Sequence, residues 1–99
     1  METFSDRLKA ARERKGMMQR DVADVLGCAP TSLTNWEHGK VQPSLEVLAR
    51  LCEVLGISPL DLLDRHYTYN DIVAISLKPA YERTYQESVA LNFSYEILQ

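Results

Sequence analysis

The stretch Gln19–Gly39, QRDVADVLGCAPTSLTNWEHG, restricts the possible folds of this chain more than any other. Val22, Ala23 and Leu26 fall at helical spacing, and Gly27 ends the run by accepting the backbone that closes a helix. Ala23 has to be small, because a bulky side chain there would push two helices of the motif apart. A second short helix starts at Pro30, since a proline in the first helical position forfeits no hydrogen bond. Ala29 then occupies its N-cap, where a residue without a side-chain acceptor is a poor choice. Leu33 and Trp36 point inward, so Thr31, Ser32, Thr34 and Asn35 lie outward or at the exposed leading end. Such short polar side chains can bond base edges or phosphates, and Asn suits adenine in a major groove. By themselves they fit a solvated helix face equally well.

The flanking sequence supplies the other sides of a bundle. Phe4, Leu8 and Ala11 form one face of a first helix that Thr3 or Ser5 can cap, with Arg12, Arg14 and Lys15 in a basic last turn before Gly16. Ser44 can cap a fourth helix carrying Leu45, Leu48, Leu51 and Leu55, ended by Gly56. Ser58-Pro59-Leu60-Asp61 starts a short fifth helix through Asp64, with Leu60 and Leu63 closing the core or opening a dimer contact. With 99 residues and 45% hydrophobic content, one small core is expected.

The net charge of −3 argues against a general polyanion binder and against a surface held to membranes by basic residues. Six of the eleven basic residues lie in positions 1–20, so any positive face belongs to the N-terminal part. The start, METFSDRLKAARERK, lacks the apolar core of a signal peptide, and no run approaches a membrane span; a cytoplasmic location is expected. Cys28 and Cys52 read as reduced packing residues. Together with His38 and His66 they lack the spacing of a zinc site, so no metal and no cofactor is implied. Neither histidine has a nucleophile or paired carboxylate beside it in sequence, and no enzyme is expected.

Residues 7–63, RLKAARERKGMMQRDVADVLGCAPTSLTNWEHGKVQPSLEVLARLCEVLGISPLDLL, resemble the lambda-repressor-like, Cro-type or XRE helix-turn-helix family. The likeness is most specific at Gln19, at Ala23 with Gly27, in NWEHGK at 35–40 and in PSLEVLAR at 43–50. It implies an all-α, five-helix DNA-binding bundle whose third helix enters the major groove of double-stranded DNA. It also implies that Gln19 grips a phosphate, that Pro30, Thr31, Ser32 and Asn35 face bases, and that Thr34 and Lys40 meet the backbone. Arg12 and Glu37 match a pair tying the first helix to the third, where a bidentate contact would fix the angle of the reading helix. The chain departs from the family at Met18 and Ala29, where Ser or Thr is usual, and at Pro30, which is apolar where a polar or basic residue is common.

On this reading residues 1–66 form the DNA-binding domain, and residues 67–99 form an extension outside the likeness, rich in tyrosine and free of glycine. Two cap-like runs, Thr68–Asp71 and Thr84–Glu87, favour helices separated by Lys78-Pro79. Alternating Val89, Leu91, Phe93, Tyr95 and Ile97 offer a β-strand instead. Phe93, Tyr95, Ile97 and Leu98 are expected to bury, either against the bundle or in a homodimer that reads two half-sites. The expected function is a transcriptional regulator, a repressor acting on a palindromic operator. The alternative is a protein-interaction module, an antitoxin or antirepressor-like adaptor with a protein partner.

Overall fold

Thr3 opens the first helix, α1 (Phe4–Arg14), in the structure, a computed structural model that describes residues 2–96. Its hydroxyl accepts the Asp6 N–H at 3.2 Å, while the Asp6 carboxylate takes the Thr3 N–H at 3.1 Å. This exchange satisfies two donors that a helix start otherwise leaves bare. The helices α2 (Gln19–Leu26), α3 (Pro30–Glu37) and α4 (Leu45–Leu55) follow. Ser44 caps α4 through the Val47 N–H at 3.2 Å.

All four helices close alike. Gly16, Gly27, Gly39 and Gly56 have positive φ, and the residue after each donates its N–H to the carbonyl five positions back, at 3.0–3.3 Å. That closure gives partners to carbonyls at the helix end. Gly39 has a second constraint, because a Cβ there would sit 3.2 Å from Ser5 Oγ. The turn after α3 therefore rests on the first turn of α1.

The fifth element is shorter than the sequence suggests. It is a single 3-10 turn, Pro59–Leu62, capped by Ser58, whose hydroxyl accepts the Leu60 N–H at 3.1 Å. Leu63 then turns extended, and the consecutive Leu62 and Leu63 are both buried. Leu60 is only half-buried. Within the bundle α2 packs on α3 and α4, and α1 packs on α3 and on the 3-10 turn. Leu8, Val22, Ala23, Leu33, Leu48 and Leu51 are wholly excluded from solvent. Cys52 is buried and Cys28 half-buried, both as free thiols.

The chain divides into two compact units, Met1–Asp64 and Arg65–Gln99. In the second, α5 (Tyr69–Ser76) packs on α6 (Tyr85–Asn92), with 3-10 turns at Ala80–Glu82 and Ser94–Glu96. Thr68 and Thr84 each make both bonds of a capping box, with Asp71 and Glu87 respectively. The strand alternative over 89–97 fails for the described part of that segment. Val89 and Ala90 are consecutive and both buried on α6, which alternation cannot produce, and no strand occurs among the described residues. Phe93 is buried as expected, but Tyr95 is 56% exposed. Phe93 is the C-cap of α6 and Tyr95 lies in the 3-10 turn that follows, so the two do not continue one alternating face. Ile97 and Leu98 lie outside the described residues.

Candidate nucleic-acid interface

α3 is built with one side committed to the core. Leu33, Trp36 and Glu37 are buried, whereas Pro30 and Thr31 are exposed and Ser32, Thr34 and Asn35 half-buried. Thr31 and Asn35 are four apart and share a side of the helix. The side chains of Thr31, Ser32 and Asn35 make no hydrogen bond among the described residues. They are short, neutral and able both to donate and to accept.

The buried acid fixes where α3 sits. Arg12 Nε donates to Glu37 Oε2 at 2.6 Å and Arg12 Nη2 to Glu37 Oε1 at 2.9 Å, a bidentate pair between α1 and α3. Arg12 Nη1 also donates to the Met17 carbonyl at 2.8 Å, which holds the turn before α2. Gln19, the first residue of α2, donates Nε2 to Glu37 Oε1 at 3.0 Å and accepts the Thr34 hydroxyl at 2.8 Å. One polar network thus joins three helices at the start of the motif. Burial alone would raise the Glu37 carboxyl, but the hydrogen bonds from Arg12 and Gln19 and the guanidinium charge outweigh it and hold it below the usual carboxylate value. The same hydrogen bonding to Glu37 pushes Arg12 further up.

The network places Gln19 and Thr34 differently from the other residues singled out in the sequence. Thr34 has two acceptors in reach, Gln19 Oε1 at 2.8 Å and the Pro30 carbonyl at 3.4 Å, and one proton. With that proton on Gln19, Thr34 has none to give to a phosphate. Gln19 keeps its second N–H. Nothing in the sequence indicates an amide reaching across 18 positions to Glu37. Lys40 is exposed in the turn after α3, its backbone N–H bonded to the Asn35 carbonyl.

The starts of the two motif helices differ from those of their neighbours. No side chain caps α3 at Ala29. At α2 the Met18 thioether makes no cap bond, but the Asp21 carboxylate accepts the Met18 N–H at 2.9 Å, half of a capping box. An acid three residues past the cap position is a readable signal even without the hydroxyl.

Among the described residues no three His, Cys, Asp or Glu side chains gather as a metal-binding group, and no helix is long and apolar enough to cross a membrane. His38 and His66 are both exposed.

Comparison with known proteins adds a direct finding. A family model described as helix-turn-helix, HTH_3, matches residues 8–62. A SPbeta prophage-derived uncharacterized HTH-type transcriptional regulator, YonR, of Bacillus subtilis is 36% identical over 76 residues, covering 77% of this chain and 70% of that protein. The HTH-type transcriptional regulator DdrOP3 of Deinococcus deserti is 33% identical over 72 residues, covering 73% of this chain and 56% of its own length. The HTH-type transcriptional regulator AnsR of Bacillus subtilis is 37% identical over 60 residues, covering 61% and 52%. The chain therefore spans little more than half of the latter two relatives. No solved structure matches significantly.

Proposed function

The chain belongs to the XRE-type helix-turn-helix family and is a DNA-binding transcriptional regulator, and from that premise we propose that it is a repressor. It reads a palindromic operator as a homodimer, through α3 in the major groove. The observation that carries this is the locking of α3 by the Arg12–Glu37–Gln19–Thr34 network, which leaves a neutral polar side facing outward. Occupying a promoter needs no chemistry, which suits a chain of this make-up.

Thr31, Ser32 and Asn35 face base edges, while Pro30 can only touch an apolar group such as a thymine methyl. Gln19 offers its second N–H to a phosphate, Lys40 adds a charge, and Thr34 borders the backbone while orienting Gln19. At the start of α3, Pro30 has no N–H and the Ser32 N–H bonds the Ala29 carbonyl at 3.0 Å, which leaves the Thr31 N–H as a donor that a phosphate oxygen can take. Residues 1–66 are the reading domain and 67–99 the dimerisation element. With few cations in the motif itself, phosphate contacts from a second copy contribute much of the affinity, which should fall steeply with salt.

Selecting bound DNA from a random pool and sequencing it tests the reading. A palindrome with half-sites about 34 Å apart is expected; enrichment of no sequence would overturn it. The second reading, an antitoxin or antirepressor-like adaptor, rests on the net charge of −3 and on the absence of Lys or Arg between Cys28 and Gly39. The same selection separates the two, because an adaptor enriches nothing.

A further inference from the structure

α5 carries apolar side chains on two sides but has an apolar neighbour within its unit on only one. Ile72 and Ile75 are buried, whereas Tyr69, Val73 and Leu77 are 63%, 42% and 80% exposed. Successive spacings of four put those three on one stripe of the helix. Tyr81, in the 3-10 turn that follows, is 87% exposed. Together the four expose on the order of 400–500 Å² of side chain, given 150–250 Å² for a whole aromatic. Exposed apolar area of that size is comparable to the largest patch of a typical monomer, which is often functional. It is also about half of the roughly 800 Å² that each partner of a stable dimer buries. Asn70, Ala74, Ser76, Pro79 and Ala80, all exposed, can provide much of the remainder.

The chemistry of the stripe selects the partner. No charged side chain interrupts it, and Asp71, the one charged residue of α5, is engaged by Thr68 and by Arg65 at 3.0 Å. DNA would find little free cation there, because Lys78, next to Leu77, is held by Glu87 at 2.9 Å. A second copy would meet no like charge, although each copy carries a net −3. The order of sizes, bulky Tyr69, smaller Val73 beside Ala74, bulky Leu77, reads similarly in both directions. A two-fold axis near Val73 would bring Tyr69 of one protomer onto Leu77 of the other, with Ala74 permitting close approach. Such an isologous surface is what a two-fold dimer requires.

We propose that the Tyr69–Val73–Leu77 stripe of α5 is the seam of an antiparallel two-fold homodimer. This rests on the homodimer reading above and adds to it the surface and the direction of pairing. The test is the mass of the full-length chain in solution without DNA, by sedimentation at tens of micromolar. The wild type is expected to be a dimer. Val73→Glu, which sets two carboxylates against each other at the axis, is expected to raise the dimer dissociation constant at least tenfold. Val25→Glu, the same change at a 58% exposed valine of α2, is expected to leave the mass unchanged.

A dimeric wild type with a dimeric Val73→Glu overturns the seam and spares the dimer. A monomeric wild type overturns both, whereas the DNA reading stands or falls by the selection experiment. Equal dissociation by Val25→Glu would overturn the assignment to α5. If Val73→Glu fails to fold by circular dichroism, Val73→Cys in a Cys28→Ser background decides. Oxidation should link two copies through that position, and no linked dimer would overturn the seam.

Discussion

The bundle and the extension solve the problem of holding a helix in opposite ways. In the bundle, α2 and α3 lack a complete local start signal, yet both are fixed by burial and by a polar network reaching across three helices. Among the exposed large apolar side chains of the described residues, only Met18, Val25 and Val41 belong to it. In the extension both α-helices begin with a complete capping box, and yet Tyr69, Val73, Leu77, Tyr81 and Tyr95 remain in solvent. A helix fixed by tertiary contacts can do without a cap worth about 1 kcal/mol. A short helical pair with few buried side chains depends on its caps, and on whatever covers its outer face.

The largest effect that would break this contrast is at the ion pair. Glu37→Ala or Arg12→Ala leaves the other charge buried and unpaired, and should cost about 3–5 kcal/mol in urea unfolding. A loss under about 1 kcal/mol would mean that the network does not hold α3. The pair also sets an acid limit. Glu37 has a folded value below its ordinary 4.5, so its contribution is fully present above the unfolded value and is lost as the pH falls through the lowered folded one. Unfolding against pH should show this loss below about 4.5, and Glu37→Gln should flatten that part of the profile while lowering stability at neutral pH.

Asn35→Ala is next, expected to weaken binding to a selected operator by about 1–3 kcal/mol and to relax selectivity at one base position. Gln19→Ala should instead weaken all sequences alike, as read by titration against selected and scrambled duplexes. In the extension, Thr84→Ala should cost about 1 kcal/mol, because Glu87 loses the hydroxyl that completes the box. The smallest effect is a gain. Ala29→Ser should raise stability by about 0.5–1 kcal/mol in a thermal melt. If it also weakens DNA binding, the Thr31 N–H at the start of α3 is being used by phosphate.

Much of this was legible because helix boundaries are written locally. Thr3, Ser44, Thr68 and Thr84 announce their helices by a hydroxyl before the first turn, and the spacing of Val22, Ala23, Leu26, Leu33 and Trp36 gives the buried sides. Patterns with two physical solutions were harder. Alternation from Val89 suits a strand until the Thr84 box starts a helix in front of it, after which Val89 and Ala90 go in together. The turn at Pro59–Leu62 is too short to repeat, so periodicity could not separate a 3-10 turn from a helix or show that Leu62 and Leu63 are both inside. The links from Gln19 to Glu37 and Thr34 depend on the packing of α2 against α3, which no local pattern encodes.

The division of labour along α3 limits how such a regulator could be retargeted. Leu33 and Trp36 serve the core, Glu37 answers Arg12, and Thr34 is tied to Gln19. Only Pro30, Thr31, Ser32 and Asn35 can be rewritten without disturbing the scaffold. On the proposed reading, a library confined to those four positions would sample new operator preferences on an unchanged frame, whereas randomising the whole helix would also break the contacts of Leu33, Trp36 and Glu37.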